Sequence, residues 1–119
     1  MRKRALGKTG LEVSELSLGT WGLSGDAYGP IAEGEIERII PRAIELGIDL
    51  FETADIYGKG EMERALGRLL PEGTMIVTKI GTDLAATPPR KRFEVGFLRE
   101  SFERSQDRIG RGALDVVLL

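Results

Sequence analysis

The sequence predicts an α/β fold in which parallel strands alternate with helices. Four short apolar runs are typical of buried strands, and three segments between them place apolar residues at helical spacing. The connections between these segments are short. This alternation favours a parallel sheet with right-handed crossovers. A doubly wound sheet and part of a βα barrel share the order, so the order alone leaves both open.

The composition is that of an ordinary globular protein. The chain has 119 residues, which suggests one domain, with 41% hydrophobic and 30% charged residues. A net charge of -2 gives no basic excess for nucleic acid or an acidic membrane surface, and the basic "PPRKR" run favours a solvated loop. The absence of cysteine excludes disulfides and thiolate metal sites, and no metal site is predicted. No apolar run is long enough for a membrane span, so we expect a cytoplasmic protein.

The first 14 residues predict a small β-hairpin around "GKTG". Gly7 and Gly10 can adopt the positive φ angles of a tight turn. The alternative is a phosphate-binding P-loop, whose motif ends in "GKT". That motif requires a glycine where Arg2 stands and a preceding strand for which there is no room. The hairpin is therefore favoured.

Residues 15–119 predict the order βαβαβαβ. The strands are expected at "ELSLGT", "IDLFET", "MIVTKI" and "LDVVLL". The helices are expected from Ile36 to Gly47, from Glu61 to Leu70 and from Val95 to Ile109. Pro41 lies inside the first helical pattern, where proline costs about 3 kcal/mol, so we expect a kink or break there.

Three polar residues lie near the carboxyl ends of predicted strands, where active sites of parallel α/β folds assemble. Glu52 closes the second strand, Tyr57 follows it, and Lys79 closes the third. Strand alternation places Glu52 and Lys79 on one face. The pair could simply cap the sheet as an ion pair, and residue chemistry alone does not decide. With Tyr57, an ammonium that lowers the phenol pKa would suit a general acid that protonates a carbonyl oxygen.

Four blocks cover nearly the whole chain: "LGKTGLEVSELSLGTWGL", "AIELGIDLFETADIYGKGEMERALG", "IVTKIG" and "SFERSQDRIGRGALDVVLL". In order and spacing they resemble the aldo-keto reductases. The resemblance implies the N-terminal half of a (βα)8 TIM barrel whose bottom is closed by the hairpin. It also implies reduction of small aldehydes and ketones with NADPH.

The resemblance assigns roles to five residues. Tyr57 matches the acid that protonates the substrate, and Lys79 matches the lysine that depresses its pKa. Glu52 occupies the position of the aspartate that pairs with this lysine, beside the cofactor. Thr20 and Trp21 match residues that line the nicotinamide and substrate region.

The chain departs from the family pattern at four points. Glu52 replaces an aspartate, Gln106 replaces a leucine on the core face of the third helix, and Pro41 interrupts the first helix. The family's tetrad histidine follows "DVVLL", and this chain has no histidine. We therefore expect the 119 residues alone to be inactive.

A half barrel leaves two edge strands and an apolar face open. We expect a homodimer, or association with a complementary C-terminal half, and a flattened, flavodoxin-like sheet is a further variant. The alternative to an enzyme segment is a stand-alone, non-catalytic half barrel that acts as a structural or self-assembling module.

Overall fold

The computed structural model describes residues 1–119 as eight strands and three α-helices. The strands are β1 Lys3–Ala5, β2 Glu12–Ser14, β3 Leu18–Gly19, β4 Leu50–Glu52, β5 Met75–Lys79, β6 Thr82–Asp83, β7 Arg90–Lys91 and β8 Val116–Leu118. The helices are α1 Glu35–Glu45, α2 Glu61–Leu69 and α3 Val95–Ile109, and short 3-10 turns cover Trp21–Leu23 and Tyr57–Gly60.

The central sheet is parallel and has the order β3-β4-β5-β8. The order follows the chain, as in a barrel wall, and β3 and β8 form its edges. One sheet face is buried under the helices through Phe51 and Ile76, whereas Leu50, Val77 and Val116 on the opposite face are half-buried. A doubly wound sheet carries helices on both faces. The structure is therefore a partial βα barrel, and the open face corresponds to the barrel interior.

The hydrophobic core lies between the sheet and the helices. Its largest members are Ile40 from α1, Phe51 from β4, Leu66 from α2, Ile76 from β5 and Ile109 from α3. Ile40 and Leu66 belong to the apolar stripes that predicted their helices, and Phe51 and Ile76 alternate along the strands with the residues of the open face. Burial of these side chains fixes the helices on one side of the sheet and leaves the strand ends free for polar residues.

The predicted break at Pro41 is wrong, because α1 runs without interruption from Glu35 to Glu45. Proline removes the N–H that would bond to the carbonyl of Glu37. Glu37 is exposed, so water can replace the missing donor. The half-buried ring lines an apolar groove beside Leu18 and Ile48.

Gln106 has a role of its own at the end of α3. Its side-chain amide donates a 2.7 Å hydrogen bond to the carbonyl of Gly112. Gly110 ends the helix in the left-handed conformation, with φ 71°. The amide thus fastens the loop that leads to β8, which a leucine could not do.

The N-terminal hairpin packs at the amino ends of the parallel strands. Strands β1 and β2 pair antiparallel. The N–H of Ser14 donates to the carboxylate of Asp49 at 2.7 Å, and the Asp49 N–H donates to the Ser14 hydroxyl at 3.1 Å. Lys3 forms an ion pair with the same carboxylate. Asp49 directly precedes β4, so the hairpin is held at the end of the sheet opposite to Glu52 and Lys79.

The long connection between β5 and α3 contains a short antiparallel pair, β6 and β7, that the sequence pattern did not predict. Asp83 organises it: its carboxylate accepts hydrogen bonds from the N–H groups of Ala85 and Ala86 and pairs with Arg92 at 3.2 Å.

None of the helices is long and apolar enough to cross a membrane.

Candidate functional site

The three polar residues singled out from the sequence meet at the carboxyl ends of the strands. Glu52 is the last residue of β4, Lys79 the last of β5, and Tyr57 opens the 3-10 turn after β4. The register pairs Gly19 with Glu52 and Lys79 with Leu118. Burial alternates along β5 so that Lys79 shares the open, concave face with Val77.

Glu52, Tyr57 and Lys79 form a compact triangle. The Nζ of Lys79 forms an ion pair with the Oε1 of Glu52 and donates to the Oη of Tyr57 at 3.2 Å. The Tyr57 hydroxyl lies 3.5 Å from the Glu52 Oε1, and Lys79 also donates to the carbonyl of Thr53 at 3.3 Å. A simple cap on the sheet would need only the ion pair. The phenol contacts both charged groups, so the triangle contains the groups that acid–base chemistry needs.

The electrostatics of the triangle differ from expectation in one respect. Burial raises the pKa of the Tyr57 phenol above its ordinary value of 10.0, so the prediction that Lys79 lowers it is wrong here. Burial is the physical cause, because removing the phenol from water disfavours the charged phenolate. Burial also lowers the pKa of Lys79, and the nearby charge of Lys91 adds to that effect.

Thr20 and Trp21 flank the triangle. Thr20 is buried, and both its N–H and its hydroxyl donate to the carbonyl of Glu52, at 2.9 and 3.0 Å. Thr20 therefore fixes the backbone that carries the carboxylate. Trp21 is 50% exposed, and its ring lies 6.0 Å from that of Tyr28. Its indole is an open aromatic surface two residues after the end of β3.

The turn that carries Tyr57 has an unusual backbone. Gly58 and Lys59 are left-handed, with φ 56° and 55°, and Gly60 has φ 91°. A β-carbon added at Gly60 would also lie 2.6 Å from the Cδ of Arg108. Glycine is required at this position both for its φ angle and for space, and Arg108 supports the turn from behind.

Sequence reasoning missed a buried ion pair behind this turn. Glu63 is fully buried; its Oε2 accepts from the Nε of Arg108 at 2.5 Å and its Oε1 accepts from the Thr78 hydroxyl at 2.6 Å. Thr78 precedes Lys79 on β5. The pair thus ties the lysine strand, α2 and α3 to the Tyr57 turn. Glu63 stands in the block "AIELGIDLFETADIYGKGEMERALG", which was the signal available in the sequence. Its partner Arg108 lies 45 residues away in the chain.

Comparison with known proteins decides the ancestry of this arrangement. The family model described as the aldo/keto reductase family matches residues 15–119. The chain belongs to this family. The family assignment agrees with the partial βα barrel described above.

Individual aldo-keto reductases are similar over nearly all of the chain. Pyridoxal 4-dehydrogenase from Microbacterium luteolum is 35% identical over 92% of this chain and 36% of its own length. The holo form of aldo-keto reductase AKR11C1 from Bacillus halodurans has a TM-score of 0.84 and 28% identity over 98% of this chain and 39% of its own. A putative aldo-keto reductase from Pseudomonas aeruginosa has a TM-score of 0.79 and 34% identity over 98% of this chain and 45% of its own. The chain thus spans well under half the length of these relatives.

Proposed function

We propose that this chain supplies the proton-donating part of an NADPH-dependent carbonyl reductase site, in which Tyr57 protonates the carbonyl oxygen of a small aldehyde or ketone. The observation that carries the proposal is the position of the Tyr57 Oη, 3.2 Å from the Lys79 ammonium and 3.5 Å from the Glu52 carboxylate. The hydroxyl lies at the carboxyl ends of the strands, where parallel α/β enzymes bind substrate.

The residues of the triangle support a proton transfer with a defined direction. Burial keeps Tyr57 protonated at neutral pH, so it is a donor rather than a base. The Lys79 ammonium stabilises the phenolate that remains after the proton moves to the carbonyl oxygen. Glu52 holds the ammonium in place through the ion pair. The proton and a hydride together convert the carbonyl group into an alcohol.

The residues around the triangle fit the nicotinamide end of the cofactor. Bound NADPH would supply the hydride to the carbonyl carbon. The exposed indole of Trp21 offers a flat apolar surface for a ring, and the concave face beside it is open. Thr20 fixes the backbone of Glu52 from below. We propose Thr20, Trp21 and Glu52 as the residues of this chain beside the cofactor.

We further propose that activity requires polypeptide beyond the four-stranded wall described here, since the chain spans only 36–45% of its relatives. The edges β3 and β8 and the concave face are open, and Leu118 is 44% exposed. A complementary C-terminal half would cover them, and a second copy of the chain is the other candidate.

The open edges also favour a second function, a non-catalytic module that self-assembles. The cytoplasmic location stays a prediction.

Reconstitution tests the proposed function. The chain is mixed with a separately produced C-terminal portion of an aldo-keto reductase relative, and NADPH consumption is followed with an aldehyde such as pyridoxal. We expect aldehyde reduction by the mixture and a loss of about 100-fold or more with Tyr57→Phe, the scale of general-acid catalysis. The matched control is Tyr28→Phe, because Tyr28 is 84% exposed and outside the triangle.

Full activity in Tyr57→Phe would contradict the proposed role of the phenol. Light scattering on the same samples separates the two functions. A stable homodimer that neither exchanges with the C-terminal portion nor reduces the aldehyde would favour the non-catalytic module.

A further inference from the structure

We propose that Asp26 is a positioning residue for Tyr57. Its carboxylate holds the turn after Tyr57 in the left-handed conformation that directs the phenol to Lys79 and Glu52. The catalytic consequence rests on the proposed function, but the positioning itself does not.

The contact that carries the proposal joins two loops that are distant in sequence. The N–H of Gly58, directly after Tyr57, donates to the Oδ2 of Asp26 at 2.7 Å across a separation of 32 residues. A bond from an N–H to a carboxylate is charge-assisted and stronger than one between neutral groups. It therefore fixes the orientation of the peptide that follows the phenol-bearing residue.

Asp26 is itself held in place by its own loop. Its N–H donates to the Ser24 hydroxyl at 3.1 Å, and that hydroxyl donates to the carbonyl of Trp21 at 2.7 Å. A β-carbon added at Gly58 would reach van der Waals distance of the Ser24 carbonyl oxygen, at 3.7 Å, so the backbones of the two loops lie near each other. The Trp21 loop and the Tyr57 turn are thus joined through Asp26.

The backbone of the turn needs such support. Lys59 is the only non-glycine residue of the chain with a positive φ, a conformation that L-residues disfavour unless outside contacts impose it. Arg108 supports the turn at Gly60 on one side, and Asp26 supports it at Gly58 on the other. Without the Asp26 bond, Lys59 can relax and the phenol moves from its partners toward water.

Spectrophotometric titration of Tyr57 tests the proposal. The chain has two tyrosines, so a Tyr28→Phe background leaves Tyr57 as the only phenol. In the positioned state burial holds the phenol pKa above 10.0, and Asp26→Ala should return it to that ordinary value. Asp26→Asn keeps an acceptor oxygen and should retain the raised pKa. Asp107→Ala removes an exposed carboxylate from α3 and serves as the control.

Two results would overturn the proposal. An unchanged pKa in Asp26→Ala would show that the bond does not position Tyr57. An equal fall in Asp26→Ala and Asp26→Asn would show that Asp26 acts only through its charge. If Asp26→Ala fails to fold by circular dichroism, Asp26→Ser, whose shorter side chain cannot span the gap, takes its place. The titration needs no cofactor or partner, so its outcome is independent of any failure of the proposed function.

Discussion

Arg108→Ala is expected to reduce the free energy of unfolding by about 3–5 kcal/mol, the range for breaking a buried ion pair. The Arg108 side chain is 14% exposed and that of Glu63 is fully buried. Truncation leaves the Glu63 carboxylate without its cation in a site closed to water. Because the free energy of unfolding of a small domain is about 5–15 kcal/mol in total, the variant should be largely unfolded at moderate urea concentrations. Urea titration followed by circular dichroism measures the change.

Two comparisons sharpen this test. Arg68 forms an exposed ion pair with Glu37, with an N–O distance of 2.8 Å. Arg68→Ala removes this pair and should reduce the free energy of unfolding by at most about 1 kcal/mol. Replacing both Glu63 and Arg108 by methionine should cost less than Arg108→Ala alone, because no charge is left buried without a partner. Equal, small losses for Arg108→Ala and Arg68→Ala would contradict the structural role assigned to the buried pair.

Gly67→Ala is expected to reduce the free energy of unfolding by about 3 kcal/mol, which is the upper part of the range for an overpacked core. A β-carbon at Gly67 would lie 2.1 Å from the carbonyl oxygen of Ile109 and 2.7 Å from its carbonyl carbon. The obstacle is backbone at the end of α3, which cannot rotate away, so α2 and α3 must separate. The same urea titration gives the magnitude.

Gly96→Ala is the matched control for this substitution. Gly96 also lies in a helix, α3, but a β-carbon there would meet nothing within 4 Å. The change should raise the free energy of unfolding by up to about 0.5 kcal/mol, because alanine favours helix over glycine and Gly96 lies in the first turn, where the preference is weaker than in a helix interior. Similar effects of the two substitutions would show that α2 and α3 do not approach as closely as described.

Local pattern was enough to predict most of the architecture. Apolar spacing placed α3 at Val95–Ile109, its observed bounds, and placed α2 to within one residue of its end at Leu69. Strand alternation put Glu52 and Lys79 on one face, which the structure confirms. These features depend on neighbours a few residues apart, and such neighbours are visible in a sequence.

The features that could not be predicted depend on contacts between distant residues. Neither the Glu63–Arg108 pair nor the bond from Gly58 to Asp26 leaves a spacing signal. The direction of the Tyr57 pKa was also missed, because it depends on how far the folded chain buries the phenol. Proline propensity failed at Pro41 because tertiary packing of α1 outweighs it.

We propose that Glu52, Lys79 and Tyr57 act as one coupled acid–base group, and the pKa of Tyr57 in the Tyr28→Phe background tests this most directly. Glu52→Gln removes an anion 3.5 Å from the phenol oxygen, so the Lys79 ammonium favours the phenolate and the pKa should fall. Lys79→Met removes the cation 3.2 Å away, and the pKa should rise. Opposite shifts of this sign would support the coupled group. An unchanged phenol pKa in both variants would contradict it, and Tyr57 would then be a neighbour of an ion pair rather than part of an active site.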